Sequence, residues 1–185
     1  MNIRLSEWQK NQSYSSPEPI ATLMRRVLLR ENRLSRSQEH FWVMGLNNEH
    51  RLLYLELIGL GRQNSVAANP PDIFRTALHR LALRIVLVHN HPSGNIAPSQ
   101  ADKSFTSRMI KVGELIGIEV LDHLIITEQG GYTSFNTAGI LDELRRSQRW
   151  HLIGDEQYEA ERMLRAYRQK EMAHAAQRHT RPGAP

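Results

Sequence analysis

Ile85-Val86-Leu87-Val88-His89-Asn90-His91-Pro92-Ser93-Gly94 decides the reading of this chain. The aliphatic, mostly β-branched start predicts a short buried strand, and Pro92-Ser93-Gly94 is turn material that ends it. Alternate residues of a strand face the same side, so His89 and His91 project together from its end. The turn lets later residues return to the same point, and Asp102 stands at the start of the following helix. Two imidazoles, one carboxylate and an open fourth position form the donor set of a catalytic zinc, here one ion per chain. Such an ion lowers the pKa of its bound water to about 7 and so supplies a nucleophile at neutral pH.

Each part of this string also has a plain structural reading. A bare His-x-His is more often a hydrogen-bonded pair than a ligand pair. Ser99-Gln100-Ala101-Asp102 resembles a capping box, with serine at the N-cap and an acid three residues on. The readings of Ser99 are compatible, because a hydroxyl at a helix N-terminus is also placed to stabilise an oxyanion. The complete string, with ten residues between His91 and Asp102, favours the metal.

Working outward, Ile20, Leu23, Met24, Val27 and Leu28 follow helical spacing after Pro17 and Pro19, to near Arg33. From His40 the period changes to that of strands. Phe41 to Met44 and Leu52 to Leu55 predict a pair joined by the polar turn Asn47-Asn48-Glu49-His50. A short strand is expected around Ser65 to Ala67, and Pro70-Pro71-Asp72 opens a helix to about Leu83. Beyond the motif come a helix from Ser99 to about Leu115, a strand Ile118 to Ile126, and a short strand Tyr132 to Phe135. Helical spacing resumes near Ile140, breaks at Gly154 and returns from Glu156 to about Ala176; Arg178 to Pro185 reads as a disordered tail. Strands alternating with helices indicate an α/β or α+β domain over residues 37–136. A helical segment, 1–36, precedes it and a helical extension, 137–185, follows.

The chain of 185 residues suffices for one ordinary core. It has no cysteine, which excludes disulfides, thiolate metal sites and the cysteine-liganded zinc of nucleobase deaminases. Met1 to Lys10 does not read as a signal peptide, no apolar run reads as a membrane span, and a cytoplasmic setting is expected. The net charge of +5 is uneven. Residues 1–36 hold seven basic and three acidic side chains, and 141–185 hold nine and seven, whereas 37–140 hold eight and nine. Basic ends suit either solvated helix faces or contacts with nucleic-acid phosphates.

The string His89-x-His91-Pro92-Ser93-Gly94, with Ser99 and Asp102, resembles the JAMM motif of the MPN-plus metalloproteases. Its closer resemblance is to the bacterial RadC-like branch, whose HNHPSG matches His89 to Gly94 and whose LDH strand matches Leu121-Asp122-His123. Tyr132 to Phe135 is similar to that branch's last short strand, and Pro70 to Phe74 takes the place of its Pro-Arg-Glu helix start. The likeness covers about residues 37–136. There are departures: Pro71-Asp72 replaces the Arg-Glu pattern, and Gly61-Arg62 stands where Gly-Thr is usual. The 36 residues ahead of the domain lack the Gly-containing hairpin of full-length relatives.

The resemblance implies an MPN-like fold, a curved and mostly antiparallel mixed sheet flanked by helices. It implies zinc-assisted hydrolysis of a peptide or isopeptide bond in a protein substrate, with His89, His91 and Asp102 on the metal and Ser99 facing the oxyanion. It also implies an upstream glutamate as general base, and Glu56 matches by position. Glu56 is the only charge between Leu52 and Leu60, and a carboxylate among apolar same-face neighbours costs free energy unless it is paired or used. His123, in an apolar strand, reads either as a residue that supports the metal ligands or as plain core, and the core reading is favoured. A second reading has the basic ends contacting DNA and the zinc site acting on or near nucleic acid. A third is a non-catalytic interaction module, which the intact donor set argues against.

Overall fold

The computed structural model describes Ser6, Gln9 and residues 11–61 and 68–146. The expected strand at Ser65 to Ala67, the helix from Glu156 to Ala176 and the tail lie outside these residues. In chain order the elements are α1 (Pro17–Leu28), α2 (Arg33–Arg36), β1 (Glu39–Leu46), β2 (Leu52–Gly61), α3 (Pro70–His79), β3 (Arg84–Asn90), α4 (Gln100–Ile116), β4 (Glu119–Ile126), β5 (Tyr132–Ser134) and α5 (Ile140–Arg146).

The strands form one mixed sheet in the order β2-β1-β3-β4-β5. Only β3 and β4 are parallel; the other three pairings are antiparallel. A parallel pair needs a crossover of a dozen or more residues, and α4 supplies it. The crossover leaves the C-terminal end of β3 and re-enters as a helix N-terminus beside it. That geometry brings the histidines and Asp102 together.

Helices cover both faces. Trp42, Met44, Leu46, Val86, Val88, Leu124 and Ile126 pack against Ile20, Leu23, Met24, Val27 and Leu28 of α1. On the opposite face Phe41, Val43, Ile85, Leu87 and Ile125 pack with Ile73, Phe74 and Ala77 of α3, Met109 and Ile110 of α4, and Leu141 of α5. Central strands buried on both faces read as continuous apolar runs, which is why β1 and β3 show no alternation in sequence. Among the described residues no helix is long and apolar enough to cross a membrane.

Two helices stop earlier than their periodicity predicts. α1 ends at Leu28 instead of Arg33, because Asn32 caps a separate turn by accepting the Ser35 N–H through its side chain at 2.9 Å. α3 ends at His79 instead of Leu83. Leu81 takes a left-handed conformation (φ 53°), its N–H reaches the Leu78 carbonyl, and the Ala82 N–H reaches that of Ala77. This is a Schellman ending made with leucine where glycine is usual.

Candidate metal centre

β3 ends at Asn90, and the His91 N–H still bonds the Ile126 carbonyl at 3.1 Å. The loop then turns at Gly94 (φ 80°), whose N–H returns to the His91 carbonyl at 3.1 Å. Asn95 holds the next bend, its side-chain oxygen accepting the Ala97 N–H at 2.9 Å. Its backbone carbonyl lies 2.6 Å from His91 Nδ1. A carbonyl only accepts, so His91 Nδ1 carries the proton and the Nε2 of the neutral ring is bare.

Ser99 is the N-cap of α4 and forms the expected capping box with Asp102. Asp102 Oδ2 accepts the Ser99 N–H at 2.8 Å and the Ser99 hydroxyl at 2.6 Å, while the Ser99 oxygen accepts the Asp102 N–H at 3.1 Å. The other carboxylate oxygen, Oδ1, lies 3.4 Å from His89 Nε2. The two histidine Nε2 atoms lie 3.0 Å apart, and His91 Nε2 is 3.9 Å from Asp102 Oδ2. Ligands about 2.0–2.1 Å from a tetrahedral zinc are roughly 3.4 Å from one another, so these separations suit such an ion. The donor chemistry agrees. Burial pushes His89 down to about 4, against the pull of the Asp102 charge and with a further push from His91. Two imidazoles and a carboxylate, with ligand atoms within 4.8 Å of one another, form a group that could hold a metal ion.

The cleft around these atoms is lined by His89, His91, Ser99 and Asp102, with Phe41, Phe105, Ala68, Ala101 and Arg108 forming an apolar wall and one basic side. His123 lies at its base, and the carboxylate on its rim beyond the motif is Glu39. Glu39 opens β1 and stands two residues beyond Phe41, which pairs with His89, so Glu39 and Phe41 share the His89 face of the sheet.

Glu56 lies elsewhere. It pairs with Val43, and Val43 pairs with Leu87. That is two strands across and two residues back from His89, roughly 12 Å between Cα atoms from ordinary strand spacings. It faces the α3 side next to Tyr54, whose hydroxyl is pushed up by burial and then by the Glu56 charge. Neither Glu56 Oε2 nor the Tyr54 hydroxyl has a hydrogen-bond partner in its buried position.

The structure adds two residues that the sequence reading did not use in this way. Asn90, between the two histidines, points to the opposite face. Its side chain accepts the His40 N–H at 2.7 Å and donates to the Gln38 carbonyl at 3.1 Å, bracketing Glu39. His123 is buried, as a core residue would be, but its ring contacts His89: His123 Nε2 is 2.8 Å from His89 Nδ1.

The model of the RadC-like JAB domain family matches residues 14–140, so the match takes in α1 as well as the sheet. A UPF0758 protein of Desulforudis audaxviator is 39% identical over 137 residues, which are 74% of this chain and 56% of that protein. One from Caldanaerobacter subterraneus is 40% identical over 129 residues (70% and 53%), and one from Bacillus cereus 42% over 124 (67% and 52%). The matched stretch is about half the length of these relatives. The family match spans the sheet, the His89–Asp102 string and the helix that covers the opposite face, and the chain belongs to the RadC-like JAB domain family.

Proposed function

We propose that the chain is a zinc-dependent hydrolase of peptide or isopeptide bonds. The observation that carries this reading is the convergence of His89 Nε2, His91 Nε2 and Asp102 Oδ1 in a cleft that also holds Glu39 and Ser99. A zinc ion in that position would polarise a scissile carbonyl and acidify a water molecule. The Glu39 carboxylate accepts the proton of the attacking water and passes it to the departing amine. Ser99 keeps Asp102 oriented through its N–H and, turning its hydroxyl away from Asp102 Oδ2, donates to the oxygen that gains charge. Phe41 and Phe105, 5.2 Å apart edge to face, wall the cleft on the apolar side and limit access of bulk water.

The test is metal analysis of the purified chain together with hydrolysis of a panel of peptide and isopeptide substrates, in wild type and Glu39→Gln. Zinc near one per chain, and turnover that falls roughly 10²-fold or more in the variant while zinc is retained, are the expected results. Full turnover in Glu39→Gln would remove Glu39 from the mechanism. A zinc-loaded protein inert on the whole panel would remove peptide hydrolysis.

A further inference from the structure

We infer that His123 and Thr106 are the positioning pair of the metal centre: they close a hydrogen-bond circuit, beginning and ending on Asp102, that fixes His89 with its Nε2 lone pair toward the ion. The inference rests on the metal-site reading above and assigns roles to two residues outside the ligand set.

The direction of the circuit follows from one contact. The Thr106 hydroxyl lies 2.6 Å from the backbone carbonyl oxygen of Asp102 and 2.6 Å from His123 Nδ1. A carbonyl oxygen carries no proton, so at that distance the hydroxyl must donate to it. Thr106 has a single hydroxyl proton and has thereby used it. His123 Nδ1 must be the donor to Thr106, which leaves His123 Nε2 as an acceptor. His89 Nδ1, 2.8 Å away, then carries the proton, and His89 Nε2 is bare. Asp102 closes the circuit, because its Oδ1 faces that same Nε2 at 3.4 Å. The backbone that begins the circuit and the carboxylate that ends it belong to one residue on the first turn of α4.

The surroundings leave His123 no other partner chemistry. Its ring is enclosed by Phe135, with centroids 4.7 Å apart, and Phe41, at 5.9 Å, and it is 1% exposed. Its backbone N–H is held by Asp122 Oδ1 at 2.7 Å, and Asp122 is fastened in turn by the Ser134 hydroxyl and the Asn136 N–H. A core residue chosen for packing alone would be aliphatic here, since an enclosed imidazole with an unmet nitrogen is costly. A metal-bound histidine whose second nitrogen is held by a fixed partner keeps its tautomer and ring plane, and loss of such a partner commonly weakens metal binding by about 10–100-fold.

The test uses the full chain, zinc alone as the probe, and two readouts: zinc affinity by chelator competition, and the histidine tautomers of the metal-free protein by long-range ¹H–¹⁵N NMR. Wild type is expected to show His89 protonated on Nδ1. His123→Leu should bind zinc roughly 10–100-fold more weakly and show mixed His89 tautomers. His123→Gln, whose amide can accept from His89 and donate to Thr106, should recover much of the loss. A folded His123→Leu with wild-type zinc affinity, or His89 protonated on Nε2 in the wild type, overturns the inference. If His123→Leu does not fold, Thr106→Val, which exchanges only hydroxyl for methyl, decides between the same outcomes. If wild type binds no zinc, the metal reading fails, and the His89 tautomer still settles the circuit on its own.

Discussion

His89 Nε2 and His91 Nε2 face each other at 3.0 Å, and the hydrogen bonds on the far side of each ring leave neither with a proton to share. Two lone pairs and a carboxylate oxygen so placed repel one another until a cation sits between them. Zinc at 100 times its dissociation constant would therefore add about 2.7 kcal/mol of stability, roughly 5–10 °C in melting temperature for a domain of this size. Asp102→Ala should abolish that shift, since two histidines alone hold zinc weakly. An equal shift in the variant would place the ion elsewhere.

Glu56 should be dispensable for any metal-dependent turnover. Its carboxylate lies beside Tyr54, with Oε2 buried and unpartnered, and no element carries it to the cleft. Glu56→Gln removes a half-buried charge while keeping shape. We expect turnover within a factor of about two of wild type and unchanged or slightly higher stability, measured by denaturant unfolding. A drop of 10²-fold would restore Glu56 as the base.

The contrast between Glu56 and Glu39 shows what the sequence could carry. The His89–Asp102 string is local: strand alternation and a helix cap bring its members together over 14 residues, and both can be read from spacing. Glu39 is joined to that string by the β1–β3 pairing of Phe41 with His89, and no local pattern specifies which strands pair or in which register. Glu56 matches the implied base by position and as a lone charge in an apolar strand, and β2 lies one strand farther from His89 than β1 does. His123 looked like core for a sound reason, since it is enclosed; the imidazole at 2.8 Å comes from a strand 34 residues earlier in the chain. The early end of α3 was hidden because leucine at position 81 gives no signal for a left-handed turn.

Acid should destabilise the metal-free protein from a defined pH. His89 is pushed down to about 4, and His123, enclosed and facing two other histidines, well below the ordinary 6.5. The unfolded chain therefore binds more protons, so this stability is fully present above about pH 6.5 and declines as pH falls toward the folded values. Between pH 7.5 and 5.5 each histidine held neutral in the fold therefore lowers stability, because the unfolded chain takes up the proton that the fold refuses. Melting curves in chelator at both pH values should show the loss, and His123→Gln should lose less. Identical pH slopes in the two proteins would mean that His123 is not held neutral.

Removing residues 1–36 should unfold the domain. Ile20, Leu23, Met24, Val27 and Leu28 are each at most 5% exposed and cover the face carrying Trp42, Met44 and Val88. At about 1.5–3 kcal/mol per buried large aliphatic side chain the loss is on the order of 10 kcal/mol, comparable to the whole stability of an ordinary domain. A chain starting at residue 37 that still melted cooperatively near the wild-type temperature would show that α1 is an accessory. Any comparison of nucleic-acid affinity with and without the basic N-terminal segment has to use arginine substitutions on the intact chain instead. Arg26, Arg30 and Arg33 are exposed and suit that purpose.

Asn90 should separate metal binding from chemistry. Its side chain bonds the His40 N–H and the Gln38 carbonyl, contacts that the backbone of a longer β3 would otherwise make with β1. Glu39 lies between those two anchors, so its placement beside the cleft depends on an amide carried between the two histidines. Asn90→Ala leaves every ligand atom and the His123 circuit intact, so zinc content should stay near wild type. It opens one buried and one partly buried hydrogen bond, at a cost of about 1–3 kcal/mol for a buried polar group left unsatisfied. The strand end carrying Glu39 is then free to shift, and turnover should fall by at least 10-fold, more than the stability loss explains at temperatures where the variant is fully folded. Asn90→Asp keeps the acceptor for His40 and loses only the donor to Gln38, so it should fall between the two. If Asn90→Ala kept full turnover, the position of Glu39 would be set by β1 alone. If it lost zinc, the amide would instead be holding the histidines.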